Sequence, residues 1–252
     1  MNSFARKYVK LGLIILAIGI VLSITAFSFG GKIVNFPSHD VANISETYLG
    51  VESLNIDLDV SDVEVKVGNE FKIEANNVSN NSFKSYVENG QWYIQDKTSS
   101  KLFNINNFDT KVIIYIPESF KSEKLKINMG AGSFIADKLT AVNTDINVGV
   151  GNLEIYDLIT DEIDVNCGVG NVEIGGKVNN KGNLKCGIGN LDLKLKGNEK
   201  EYNYNLKVGI GEVVLNNNKF SGLNNKVIEN TSSNKIFKIN CGIGKINLSI
   251  NE

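Results

Sequence analysis

The fold is decided by one stretch of sequence, Ile146-Asn-Val148-Gly149-Val150-Gly151. Variants of this stretch begin at Ile127, Val165, Leu184, Leu206 and Ile239. The intervals between their first glycines are 19, 19, 19, 22 and 33 residues. Apolar residues alternate within each copy with the period of a β-strand and not of a helix. A period near twenty with this alternation predicts a β-solenoid in which each repeat forms one coil.

Each copy is predicted to contain a strand that ends at a corner. Ile146, Val148 and Val150 share one parity and are expected to point to one face of the strand, whereas the residues between them point to the other. The parity breaks at Gly151 and Asn152, which suit a corner because both residue types tolerate positive φ. Stacked at about 4.8 Å, successive coils would place apolar columns in one dry core. Two such columns are Ile146/Val165/Leu184 and Leu153/Val172/Leu191.

The composition favours a single extended domain. The 252 residues exceed a typical domain, but a solenoid grows along one axis and needs no second core. Lys and Arg number 26 and Asp and Glu 28; without Arg6, Lys7 and Lys10, residues 32–252 hold 23 basic and 28 acidic residues, a formal charge of −5. A mildly acidic, Asn-rich surface predicts solubility and no nucleic-acid partner. No motif in the sequence indicates a cofactor.

Three cysteines occupy one repeated position. Cys167, Cys186 and Cys241 stand where Met129, Val148 and Val208 stand in the other copies. Their number is odd, and no Cys-x-x-Cys spacing is present. We therefore predict small apolar side chains in a core column in preference to a metal site or a disulfide framework.

The first 31 residues predict a membrane anchor. Residues 11–31 carry no charge, and at about 1.5 Å per residue a helix of this length spans the roughly 30 Å of a bilayer core. The basic residues lie in residues 1–10, so the positive-inside rule places the N-terminus in the cytoplasm and the chain after Lys32 outside the cell. A cleaved signal peptide is the alternative, although its apolar region is shorter and ends in an Ala-x-Ala-like site. We predict a single-pass protein of the cell membrane with an extracellular C-terminal domain.

Residues 32–50 show no sustained periodicity and are interpreted as a spacer. They contain the only histidine, His39, in a His-Asp pair that needs no further role. The regular coils are expected to occupy residues 125–252, interrupted by a polar surface loop at residues 216–235 that lengthens the last interval.

Residues 51–124 are predicted to hold a degenerate first coil and an antiparallel cap. The first coil repeats the alternating pattern with Asp59 and Ser61 in the glycine positions. Asn89 and Gly90 favour a two-residue hairpin, because a type I′ turn requires positive φ at both positions. Such a cap would cover the apolar end of the solenoid.

A resemblance to a known family rests on this layout. The N-terminal apolar segment, the strand run Val112-Ile-Ile-Tyr-Ile-Pro117 and the glycine-containing coils resemble the bacterial putative-adhesin family of β-helical domains. Several members are similar to Lia-type envelope-stress operon proteins. The resemblance covers about residues 50–250. It implies a β-helical architecture and an envelope location, and the family offers no catalytic residues to carry over.

These features together predict the fold class. It is all-β, a single right-handed parallel β-helix with a partly antiparallel N-terminal cap, preceded by one transmembrane helix. The right-handed winding follows from the general handedness of crossover connections between parallel strands.

Two outward columns are candidate binding surfaces. The first is a stripe of bare backbone at Gly130, Gly149, Gly168, Gly187, Gly209 and Gly242. Such a stripe could seat an extended glycan or the side chains of a partner. The alternative is that glycine only lets the strand bend into the adjacent corner.

The second column is acidic. Glu154, Glu173 and Asp192 occupy one outer position in three successive coils. Like charges so close repel unless a cation or a lysine lies between them, and Lys194 is the obvious neutralising group. Paired acids on the outer face of a β-helix serve catalysis or calcium binding in polysaccharide-cleaving enzymes. We favour a solvated, neutralised column over either role.

Three functions remain open at this stage. The first is a membrane-anchored extracellular solenoid that is not an enzyme and binds cell-wall glycan or another envelope protein, as an adhesin-like or scaffolding surface. The second is a regulatory partner in envelope-stress sensing. The third, and least favoured, is a polysaccharide-active enzyme that uses the acidic column.

Overall fold

The computed structural model describes residues 41–96 and 110–251, and these residues form an all-β fold built on one 13-stranded sheet. The strands are β1 (Val41–Tyr48), β2 (Ser53–Gly68), β3 (Phe71–Ser79), β4 (Phe83–Glu88), β5 (Gln91–Asp96), β6 (Lys111–Pro117), β7 (Ser122–Lys196), β8 (Asn203–Val208), β9 (Glu212–Leu215), β10 (Asn218–Ser221), β11 (Asn224–Ile228), β12 (Ile236–Cys241) and β13 (Lys245–Asn251). A short 3-10 helix, Glu199–Glu201, precedes β8.

The regular coils lie in β7, which winds through 75 residues with extended backbone carried through its corners. Its inner positions are the two apolar columns that the repeat predicts, and all six of those side chains are buried. Burying a Leu, Ile or Val stabilises the fold by about 1.5–3 kcal/mol. A single coil buries few such residues, so stability comes from the stack.

The degenerate first coil is confirmed. β2 runs parallel to the start of β7, with Leu54 opposite Leu125 and Val65 opposite Ala136. In this register Val60 lies opposite Ala131, which places Asp59 and Ser61 in the glycine positions. On its other edge β2 pairs in parallel with β5 and β6, so one further layer precedes it.

The N-terminal cap is antiparallel, as predicted. β4 and β5 form a hairpin whose turn residues Asn89 and Gly90 both have positive φ, 50° and 75°. β3 pairs antiparallel with β6, and β1 pairs antiparallel with β3. Residues 41–48, which the sequence analysis assigns to a spacer, therefore form the edge strand of the cap. The spacer interpretation is wrong there, because β1 takes its order from pairing with β3 and not from a periodic pattern of its own.

The C-terminal strands do not follow the order of the sequence. β12 lies between β7 and β8, with Ile239 opposite both Leu184 and Leu206. β13 likewise lies between β7 and β9. After the coil that ends at Lys196, the chain forms β8 and β9 two layers further along the stack. β12 and β13, which come later in the sequence, occupy the layer between them. The expectation of coils stacked in sequence order is therefore wrong for the last two.

The layer formed by β12 and β13 packs closely against the layers on both sides. Phe237 is fully buried, and its ring lies over Gly182, where any Cβ would overlap the ring. The same ring packs against Tyr202 and Tyr204, with ring centroids 5.2 and 6.2 Å away. Residues 246–250, which would be an exposed end if the coils followed the sequence, contribute buried side chains at Ile246, Leu248 and Ile250.

The polar segment at residues 216–235 is not only a loop. Its first part forms β10, antiparallel to β9, and β11, antiparallel to β8. These two strands cover the outer edge of the last layer. Their side chains are largely exposed, which is why the segment lacks an apolar pattern in the sequence.

The predicted membrane anchor at residues 11–31, the cytoplasmic segment before it and His39 lie outside the described residues. No helix within residues 41–96 and 110–251 is long and apolar enough to cross a bilayer. The anchor and the topology that follows from it stay predictions.

Candidate functional site

An exposed apolar ridge runs along one corner of the solenoid. In spatial order this corner ridge consists of Val60, Ala131, Val150, Val169, Ile188, Ile243 and Ile210. Six of them are between 42% and 78% exposed, and Ala131 is partly buried. Each occupies the position between the two glycines of its copy, or the equivalent of that position in β2. Seven stacked layers therefore contribute one apolar side chain each to a continuous column on the surface.

The ridge corrects the sequence analysis at Val150. This residue is expected to share the face of Ile146 and Val148, but it is 57% exposed while those two are buried. The side chains change face between Val148 and Val150, before Gly151 and Asn152, where the pattern places the corner. Gly151 has a φ of +150°, whereas none of the described asparagines at the following position has positive φ. Glycine alone makes the corner.

The stripe of first glycines lies directly beside the ridge, with its members exposed or partly buried as predicted. The reason for glycine is stacking. A Cβ on Gly149 would lie 2.7 Å from the carbonyl oxygen of Gly130, and one on Gly168 would lie 2.7 Å from that of Gly149. The same clash recurs at Gly209 against Gly242. The stripe is a bare-backbone groove because neighbouring coils approach too closely for any side chain there.

The other wall of the groove is a polar face made of two columns of outward side chains. The column next to the glycines is Asn128, Asn147, Asn166, Lys185, Asn240 and Lys207, and the next is Lys126, Asp145, Asp164, Asn183, Lys238 and Asn205. Asn147 donates to Asn128 at 3.0 Å and to Asp145 at 2.8 Å, and accepts from Asn166 at 2.9 Å. Both donor hydrogens of the Asn147 amide are thus used within the ladder. The ladder ties coils together, and this amide keeps no hydrogen to donate to a ligand.

Replacing Asn147 by Ala is expected to destabilise the domain by about 1–3 kcal/mol, because three hydrogen bonds are lost and Asp145 loses a donor. The measurement is the free energy of unfolding in urea. Asn190→Ala is the matched control, since Asn190 donates only one exposed ladder bond, to Asn171 at 3.0 Å. Equal losses for the two variants would contradict a ladder that supports the coils at Asn147.

The acidic column lies on the face after the corner. Lys194 approaches Glu173 and Asp192, with N–O distances of 3.9 and 4.0 Å. Asp192 also accepts from Asn247 at 3.2 Å, because β13 inserts below it. Repulsion by Glu154 raises the pKa of the exposed Tyr156 hydroxyl. Lys194 thus lies within ion-pair distance of two of the three acids of the column. The described residues contain no group of three or more His, Cys, Asp or Glu side chains placed to hold a metal ion.

The cysteine column lies in the core. Cys167, Cys186 and Cys241 are buried, and all three are free thiols, as predicted. They occupy adjacent layers, with Cys241 opposite Cys186. Cys241 lies 3.0 Å from the carbonyl oxygen of Gly244, and burial raises the pKa of its thiol. These thiols pack as small apolar side chains.

The chain matches a known protein family. The sequence profile of the Toastrack DUF4097 family matches residues 51–231. The chain belongs to this family. The match ends before β12 and β13, so the strands that fill the interior layer lie beyond the matched region of this Toastrack domain.

Solved structures with low sequence identity have also been found. A "putative cell adhesion protein" from Clostridium sporogenes is 18% identical, with 84% of this chain and 100% of that chain covered and a TM-score of 0.41. A "putative adhesin" from Bacteroides fragilis is 18% identical, with coverages of 84% and 97% and the same TM-score. A "putative lipid binding protein" from Parabacteroides distasonis is 15% identical, with coverages of 84% and 97% and a TM-score of 0.38. A search of curated proteins finds no match.

The sequence carried a signal for the ridge that strand parity concealed. The residue lies between two glycines that each stack on the bare backbone of the neighbouring coil, and its side chain points outward at the corner. Val or Ile at that position in five of the six copies is unusual for an exposed corner. That persistence, and not the glycine stripe, was the indication of a surface.

Proposed function

We propose that this Toastrack domain is the extracellular part of a membrane-anchored protein and acts by binding, as an adhesin-like or scaffolding surface at the bacterial cell envelope. The membrane attachment in this proposal rests on the uncharged residues 11–31 and the basic residues before them. We propose no catalytic role.

The corner ridge is the observation that carries the proposal. Soluble proteins rarely leave a large contiguous apolar patch exposed, and such patches mark interaction sites. Six exposed Val and Ile side chains in one line would each lower the free energy of the protein on leaving water. The coils beneath the ridge form a continuous hydrogen-bonded sheet. Because this sheet is already ordered, little conformational entropy is lost when the ridge binds a partner.

A variant of the ridge tests the proposal. The triple change Val169→Asn, Ile188→Asn and Ile243→Asn is expected to lower retention of the tagged, detergent-solubilised full-length chain on isolated cell envelopes by about tenfold or more, since each buried methylene contributes about 0.8 kcal/mol. The measurement is the fraction that sediments with the envelopes.

The matched control replaces three exposed apolar residues away from the ridge, Val67, Ile135 and Ile159, by Asn. This variant is expected to bind as the unchanged chain does. The proposal fails if the unchanged chain is not retained, or if the two triple variants lose retention equally. A membrane-impermeant reagent that fails to label a C-terminal tag on intact cells would contradict the extracellular location.

A further inference from the structure

We infer that the corner ridge and the adjoining polar face bind the same surface of a second copy of this chain, with the two solenoids antiparallel. This inference rests on the proposed function, because it names the partner of the surface proposed there. Three properties of the described residues support it: the repeat of the ridge, the distribution of charge beside it, and the size of the surface.

The repeat of the ridge selects a partner with the same repeat. Ridge side chains recur once per coil, at about 4.8 Å. Side chains on two facing surfaces interdigitate over a long distance only if both recur at the same interval, as in paired sheets. A second copy meets this condition along six consecutive layers, those from Ala131 to Ile210. The side chains on one face of an extended peptide recur every second residue, at about 6.6 Å, and would lose register within a few residues.

The polar face divides into an acidic half and a basic half. Asp145 and Asp164 lie in the half nearer β2, and Lys185, Lys238 and Lys207 lie in the half nearer β8. None of the ion pairs among the described residues involves these three lysines, which are exposed. The face therefore presents opposite charges at its two ends, which is the condition for isologous pairing with an inverted copy.

A twofold axis along the strands, midway between the layers of Gly168 and Gly187, satisfies this charge pattern. It places Asp145 opposite Lys238 of the second copy and Asp164 opposite Asn183. On the ridge it places Val169 opposite Ile188. Lys126, the one basic residue in the acidic half of its column, then lies opposite the neutral Asn205. A parallel arrangement would instead set each acidic layer against an acidic layer.

The surface reaches the lower end of the size range of stable interfaces. Six paired layers at about 4.8 Å and roughly six residues at about 3.4 Å give a patch of about 29 Å by 20 Å, or roughly 600 Å² before side-chain relief is counted. Stable interfaces bury about 600–1,000 Å² per partner. The ridge supplies the apolar side of this patch, and the Asp and Lys columns supply its polar side.

Cross-linking of single-cysteine variants in the full-length chain tests the arrangement. Val169→Cys lies beside the axis, so a short bis-maleimide is expected to link it to the same residue of the second copy. Val60→Cys lies at one end of the ridge and is expected not to link to itself, because an antiparallel pair places the two copies of this residue about 34 Å apart. The unchanged chain, whose three cysteines are buried, measures the background.

A charge exchange tests the polar face. Asp145→Lys in the Val169→Cys chain is expected to lower the cross-linked fraction by about tenfold, because it sets lysine against Lys238 at two symmetric positions. Adding Lys238→Asp is expected to restore it, since the opposite charges again face each other and the net charge is unchanged. A surface that merely needs Asp145 for folding would not be rescued.

Each outcome decides the inference. Linkage at Val169→Cys without linkage at Val60→Cys, together with rescue by the double exchange, supports it. Background linkage at Val169→Cys overturns it, and linkage at both positions overturns the antiparallel arrangement. Retention on envelopes prepared from cells that lack this chain would leave the proposed function intact while overturning self-pairing as its basis.

Discussion

Deletion of residues 236–252 is expected to unfold the domain. The deletion removes β12 and β13, which fill the layer between β7 and the pair β8 and β9. Six buried side chains leave with them: Phe237, Ile239, Cys241, Ile246, Leu248 and Ile250. At about 1.5–3 kcal/mol each, their burial is comparable to the whole stability of a typical domain, about 5–15 kcal/mol. The truncated chain is expected to lose its cooperative thermal transition.

The deletion also exposes hydrogen-bonding edges. Residues 181–196 of β7 lose their partner on one side, and β8 and β9 lose theirs on the other, so two unpaired strand edges face an empty layer. Such edges promote aggregation. A synthetic peptide of residues 235–252 added during refolding is expected to recover part of the native circular dichroism signal.

A control deletion separates this effect from general sensitivity at the C-terminal end. Residues 218–228 contain β10 and β11, whose side chains are mostly exposed. Replacing them by a short Gly-Ser connection is expected to leave a cooperative transition at a reduced temperature. If the chain without residues 236–252 melts as sharply as the full chain, the inserted layer is not required for a cooperative fold.

Gly170→Val is expected to destabilise the domain by more than about 4 kcal/mol, an exceptional value for one substitution. Two independent causes act at this position. The φ of Gly170 is +150°, a conformation that a β-branched residue rarely adopts. Any Cβ would also overlap the carbonyl oxygen of Gly151 in the preceding coil, which is backbone and cannot rotate away.

Val148→Cys is the matched control within the same repeat. Val148 is buried, but the equivalent position holds cysteine in three other copies, so the slot accepts either side chain. The expected cost is below about 1.5 kcal/mol, because the change in volume is small. Unfolding in urea measures both variants, and a larger loss for Val148→Cys than for Gly170→Val would show that the corner is misplaced.

Periodicity predicted the parts of the structure that depend on local pattern. The inward columns through Ile146 and Leu153, the core position of the cysteines and the Asn89-Gly90 hairpin all follow from residue parity or from turn chemistry over a few residues. The columns and the cysteine position are confirmed because every coil repeats the same local pattern, and the hairpin is confirmed because its two turn residues adopt the positive φ that the turn requires. The corner was predicted at Gly151 and Asn152, after the point between Val148 and Val150 where the side chains change face, since parity does not show where within Gly-x-Gly the chain turns.

Pairing between strands that are far apart in the chain was not predicted from the sequence. The interval of 22 residues before Gly209 contains three more residues than a regular coil. Nothing in the local sequence shows that β8 lies two layers, and not one, beyond the preceding coil. β1 escaped for the same reason, because its order comes from pairing with β3. The ridge differs again. Its residues are evident in the sequence, but their exposure depends on where the chain turns at the corner, which parity does not show.

The sequence by itself determined that this chain is a stack of β-coils with an apolar interior, because alternation and a fixed period constrain which side chains can share a face. Only the tertiary structure decided the order of the layers at the C-terminal end and the exposure of the ridge. The physical reason is that backbone hydrogen bonds between parallel strands can form with any coil of suitable shape and do not select one coil over another. Which coil fills a layer depends on contacts such as Phe237 over Gly182, between residues far apart in the chain.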